Sequence, residues 1–168
     1  MPFSFTGTSS RSSCWSLRGR LADLILRPAT ADDAADIRAL VRLVRINPTG
    51  LDWRRFLVAS AADGTLAACA QVKPHADGTL ELASLAVRPA WRGRGVARRL
   101  VERLLAQSSR PVYLTCRSGL ESFYRKFGFR ALAVDELTPY YRRLKKLADG
   151  FGWAFRDGQS LLVMRLDD

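Results

Sequence analysis

The stretch LELASLAVRPAWRGRGVARRLVERLLAQ, residues 80–107, is the part of the chain whose reading decides the fold. Leu80, Leu82, Ser84 and Ala86 alternate with Glu81, Ala83, Leu85 and Val87, the period of a strand with two faces. Pro89 stops it. Further on, Ala97, Leu100, Val101, Leu104 and Leu105 recur at the spacing of one buried helix face. Between strand and helix stand Arg92, Gly93, Arg94, Gly95, Val96 and Ala97. The first turn of a helix leaves backbone N–H groups without intrahelical partners and carries partial positive charge. Gly93 and Gly95 permit positive φ and close approach of the main chain to an anion, and Arg92 and Arg94 add full charges. A phosphate suits such a junction, although the glycines alone also fit an ordinary tight turn.

Two familiar phosphate motifs fail here. A Walker loop closes on Gly-Lys-Ser/Thr, whereas Gly95 is followed by Val96 and Ala97. A dinucleotide fingerprint needs a third glycine, which is absent. The pattern R-x-x-G-x-A/G directly after a strand is met by Arg92, Gly95 and Ala97. Residues 122–129, Ser-Phe-Tyr-Arg-Lys-Phe-Gly-Phe, follow after one more strand-like segment and look like a helix ending in F-Y-x-K-x-G-F. On these two motifs, in this order, the chain from about residue 24 to residue 166 resembles the GNAT superfamily of acyl-CoA-dependent N-acetyltransferases.

That resemblance implies acetyl-CoA as co-substrate, a primary amine as acceptor, and direct attack in a ternary complex. Residues Arg92, Gly93, Arg94, Gly95, Val96 and Ala97 would grip the diphosphate. Leu85, Ala86 and Val87 would pair with the pantetheine amides as an added strand does, with the Leu85 N–H facing the oxyanion and Ser118 touching the CoA arm. Tyr124 matches the tyrosine that protonates the departing sulfur. Glu81, eleven positions before Arg92, matches the general base of several members. Its strand face is otherwise apolar, which would desolvate it; the alternative is a solvent-exposed carboxylate or one paired with an arginine. Asn47, Thr49 and Asp52 fall where the acceptor pocket is expected, with Asp52 either holding an ammonium or capping a short helix.

Composition narrows the alternatives. The chain has 168 residues, 48% of them hydrophobic, which suits one domain over residues 23–168. A net charge of +11 suits a polyanionic cofactor, a nucleic acid or an anionic membrane. No Lys/Arg block interleaves with aromatics, so nucleic acid is the weaker reading. Cys14, Cys69 and Cys116 are odd in number and lack CxxC spacing, giving neither a disulfide framework nor a thiolate zinc site. A reducing, cytoplasmic setting fits. His75 is the sole histidine, so no metal site is expected, and its place beside Pro74 reads as a solvated turn. No apolar run reaches the roughly 18 residues of a membrane span. Residues 1–22, rich in serine and arginine and without an acid, read as an extension outside the domain: a disordered tail, an early start or an organellar targeting segment.

The expected fold is α/β (α+β mixed), a mixed, mostly antiparallel sheet of about six to seven strands flanked by helices. Strands are expected at residues 24–27, 56–61, 66–73, 80–87, 111–116, 129–134 and 159–166. Asp63-Gly64 and Asp77-Gly78 mark hairpins. Thr30 opens a first helix ended near Asn47, a third helix covers residues 118–127, and Gly128 stops it. An extra amphipathic helix at residues 138–147 precedes the last strand. It reads as packed on the sheet, with a pocket cover, a homodimer contact or an acidic partner as alternatives. A non-catalytic acyl-CoA module is the competing function.

Overall fold

The computed structural model describes residues 24–150 and 158–168; the expectations for residues 1–22 lie outside the described residues. Two Asp-Gly turns set the first half of the sheet. Gly64 (φ +83°) and Gly78 (φ +80°) take the left-handed conformation that tight turns demand, and their N–H groups donate to Ala61 and His75 carbonyls. They join β2 (Phe56–Ser60), β3 (Leu66–Pro74) and β4 (Leu80–Val87) as antiparallel neighbours, with β1 (Ile25–Pro28) on the outer edge of β2. Pro28 ends β1 from inside, which an edge strand tolerates.

Helix α2 (Val96–Leu105) then carries the chain back so that β5 (Val112–Arg117) runs parallel to β4. Helix α3 (Glu121–Arg125), β6 (Arg130–Ala131), α4 (Pro139–Gly150) and β7 (Leu161–Leu166) come next, and β7 inserts between β5 and β6. The sheet order is β1-β2-β3-β4-β5-β7-β6, a seven-stranded mixed sheet flanked by helices as expected.

One face of the sheet packs on α2, whose Val96, Leu100, Val101, Leu104 and Leu105 meet Leu57, Ala59, Ala68, Ala70 and Leu82. Burial of such side chains contributes roughly 1.5–3 kcal/mol each. The opposite face packs Val58, Cys69 and Ala86 on Ile37, Leu40 and Val41 of α1 (Ala34–Leu43). At the far end of the sheet, Tyr113 and Val163 pack on Leu137 and on Tyr141 of α4. The extra helix therefore packs on the sheet, the first of the readings made for it.

The strict alternation expected of β4 does not hold. Leu82 packs on the α2 side and Ala86 on the α1 side, because Ser84 takes φ +55° and the register with β3 shifts by one residue. A bulge of this kind inserts one residue and flips the faces beyond it. Two other elements are shorter than expected. Ser118 N–H still donates to the Ser160 carbonyl 2.9 Å away, extending the β5–β7 ladder, so the α-helix starts only at Glu121 after a 3-10 turn. The expected strand at 129–134 is shortened to Arg130 and Ala131, with one further bond from the Leu132 N–H to the Val163 carbonyl at 2.9 Å. The Glu136 carboxylate accepts from Ala133 N–H (2.9 Å) and Arg130 (2.6 Å), which rolls the chain into a 3-10 turn.

Candidate active site

The site grows from a gap in the sheet. β4 and β5 pair only at Leu80–Val112 and Glu81–Tyr113, and beyond that point the strands separate. The opening is a cavity of about 660 Å³. Leu82, Ala83, Ser84 and Leu85 line it from β4, and Thr115, Cys116 and Arg117 from β5. Tyr124 of α3 closes one side, and Leu144, Leu147 and Ala148 of α4 another. The segment after α1 supplies Arg45, Ile46, Asn47 and Thr49. The bulge falls within the β4 wall, so the irregular backbone lies where the strand has no β5 partner.

Glu81 lies at the closed end of the gap, with its side chain 5% exposed. The otherwise apolar setting expected for it is overturned. Lys73 Nζ is 3.1 Å and His75 Nε2 2.6 Å from Oε2, and the Thr115 hydroxyl donates to Oε1 at 3.1 Å. The cause is the hairpin register: Lys73 stands opposite Glu81 across the Asp77-Gly78 turn. Counting outward from that turn would have predicted the pair, but nothing in the sequence placed Thr115 there. His75 is not a solvated turn residue. Its side chain is 12% exposed, with the ring centroid 4.3 Å from that of Tyr140 and 6.0 Å from that of Tyr141.

Tyr124 is buried against Phe123 and Phe129, and burial, with Cys116 nearby, pushes its phenol well above the ordinary range. It therefore holds its proton at neutral pH, as an acid requires. Burial also pushes the Cys69 and Cys116 thiols up to about 12, with Glu121 adding to the effect at Cys116, so both are protonated and poor nucleophiles.

The other expected residues divide into two groups. Leu85, Asn47 and Thr49 line the cavity, and Asn47 Oδ1 accepts from the Thr49 N–H at 3.0 Å. Asp52 does not line it. Its carboxylate caps a 3-10 turn by accepting from Arg54 N–H at 3.2 Å and pairs with Arg55 at 3.4 Å, the capping alternative. Ala86 is buried against α1, turned from the face expected for it by the bulge, and Val87 ends the strand. The Ser118 hydroxyl accepts from Ser160 N–H at 3.2 Å and lies outside the cavity lining.

Arg92, Gly93, Arg94, Gly95, Val96 and Ala97 form the expected junction beyond β4, likewise outside the lining. Gly93 (φ +73°) and Gly95 (φ +78°) both use positive φ, and Gly95 is the N-cap of α2. Arg92 Nε donates to the Val87 carbonyl at 3.3 Å, while Arg94 lies over Trp91. Val96 is buried and anchors the helix start. Among the described residues no cluster of three or more His, Cys, Asp or Glu could hold a metal ion, and no helix is long and apolar enough to cross a membrane.

Residues 52–131 match the family model described as an acetyltransferase (GNAT) domain. That segment contains Glu81, the glycine junction and Tyr124. No curated protein matches the chain. Among solved structures, it is similar to N-acetylglutamate synthase from Neisseria gonorrhoeae complexed with coenzyme A and L-arginine, at 22% identity and TM-score 0.63. That match covers 85% of this chain and 33% of the other, so the chain spans about a third of that enzyme's length. Rv2747 from Mycobacterium tuberculosis, in complex with CoA, matches at 20% identity and TM-score 0.64, covering 86% and 99% of the two chains. An acyl-CoA N-acyltransferase from Pseudomonas aeruginosa matches at 22% identity and TM-score 0.60, covering 86% and 98%. The acetyltransferase (GNAT) domain match thus runs from just before β2 through the second motif, and the similarity of fold to these structures extends over most of the chain.

Proposed function

We propose that the protein transfers an acetyl group from acetyl-CoA to a primary amine by direct attack within a ternary complex. The observation that carries this reading is the cavity at the β4–β5 gap, which has Glu81 and Tyr124 in its lining and the glycine-started helix α2 beyond the end of β4. Amines are mostly ammonium at neutral pH, so Glu81 takes a proton from the acceptor before attack. The nitrogen then adds to the thioester carbon, and the oxyanion is met by main-chain N–H at the Leu85 bulge region. Tyr124 gives its proton to the departing thiolate and regains one from the tetrahedral nitrogen.

The unpaired edge of β4 from Leu82 to Val87 suits an added-strand interaction with the pantetheine amides. Residues 92–97 offer the diphosphate a helix start, two glycines and two arginines, and Gly93 has no atom within 4 Å of where a Cβ would sit. Asn47 and Thr49 fall on the acceptor side. CoA-complexed structures with the same fold support an acyl-CoA ligand. The test is CoA release measured with a panel of amino acids, polyamines, free peptide N-termini and lysine peptides. Turnover with at least one member is expected; acetyl-CoA binding without any turnover would favour the second reading, a non-catalytic acyl-CoA module. The feature that favours that second reading is Glu81 itself, whose carboxylate is already met by Lys73, His75 and Thr115.

A further inference from the structure

Amide formation from an ammonium and an acyl thioester yields an amide, a thiol and one proton. If the protein is the transferase proposed for this cavity, each turnover must therefore export a proton. Glu81 is where that proton first lands, and both substrates fill the cavity that the carboxylate faces. The neighbours that hold it define the remaining exits. The Lys73 ammonium has no lone pair and cannot accept, and the Thr115 hydroxyl is no base near neutral pH. The His75 imidazole is the one neighbour among the described residues that can take a proton there. It does not line the cavity, and its side chain keeps 12% exposure.

We propose that His75 is the proton outlet of the site and that α4 holds its ring in place for this role. In the tautomer protonated at Nδ1, the imidazole takes at Nε2 the proton that Glu81 received from the ammonium. The imidazolium loses its Nδ1 proton to solvent, and proton exchange with solvent restores the Nδ1–H form before the next turnover. One proton enters and one leaves, and the carboxylate is regenerated. His75 never touches substrate, so it is a positioning and relay residue. Its ring lies tilted at 37° against Tyr140 and meets the edge of Tyr141, and the Thr138 hydroxyl donates to Asp77 at 3.3 Å, tying the hairpin turn to the start of α4. The charged and titratable groups around the ring are Glu81 and Lys73 from the strands, Asp77 from its own turn, and Tyr140 and Tyr141 from α4.

Because His75 is the only histidine, an imidazole-specific effect has one source. His75→Gln keeps an N–H donor for Glu81 but cannot relay a proton. With acetyl-CoA and the fastest amine of the panel, kcat should fall on the order of tenfold to hundredfold. The KM for acetyl-CoA should stay unchanged, the rising limb of kcat with pH should vanish, and added imidazole should restore the rate. His75→Asn carries the same test should the glutamine form not fold. A variant kcat within twofold of the wild type, or a loss that imidazole leaves untouched at every pH, would overturn the relay while the transferase reading stands. A wild-type protein that binds acetyl-CoA but turns over no amine would overturn both.

Discussion

The two ends of β4 work by different physics. At its end the chain runs into a solvent-facing turn whose properties belong to the main chain: two glycines at positive φ and a helix start that no side chain caps. At its beginning Glu81 is buried among side chains from three other places, Lys73 on β3, His75 in the hairpin turn and Thr115 on β5. The first kind of site is local and survives in a short motif. The second joins a hairpin pair to Thr115 on a strand distant in sequence, and it is the one that the proposed mechanism uses for proton transfer.

The comparison can be broken by substitution at either end. The largest effect is expected from Glu81→Gln, which should lower kcat by on the order of 10²–10³ at neutral pH with acetyl-CoA affinity little changed. Steady-state rates and calorimetric titration check the two halves separately, and unaltered turnover would remove Glu81 as the base. Next, Arg92→Ala with Gly95→Val should weaken acetyl-CoA binding by on the order of a hundredfold, since valine resists positive φ and blocks the helix start. Retained affinity would show that the anion sits elsewhere.

The smallest effect should come from a polar cluster outside both ends. Asp33 accepts two bonds from Arg27 at 2.7 and 2.9 Å and one from the Thr30 N–H. The Arg27 guanidinium, helped by Thr30 and opposed by burial, holds the Asp33 carboxyl down to about 2. A carboxylate held low stabilises the fold above its unfolded pKa of about 4, and that contribution is lost as pH falls through the folded value. Arg27 is partly exposed, so Asp33→Asn should cost only about 1–2 kcal/mol at pH 7 by denaturant unfolding. The difference from wild type should shrink steadily below about pH 4.

Legibility in the sequence divides along the same line. The Asp-Gly turns were enough to make β2, β3 and β4 antiparallel neighbours, and the α2 stripe to place a helix after β4, because each rests on backbone geometry and local hydrophobic pattern. The arginine–glycine junction and Tyr124 were legible through their motifs. Asp52 was ambiguous because a carboxylate two residues before an N–H caps as readily as it binds, and the Arg54 and Arg55 partners decided for the cap.

By itself, then, the sequence determined the mixed sheet, its helices and the arginine–glycine turn that opens α2, all features carried by neighbours along the chain. Only the tertiary structure decided that Thr115 joins the hairpin partners of Glu81, that Ser84 bulges and turns Ala86 away from the face of Leu82, and that α4 covers both the cavity and His75. The reason is physical: a bulge answers to unequal pairing on the two edges of β4, and a buried charge cluster to strands that meet across the sheet. Neither is specified by any one segment.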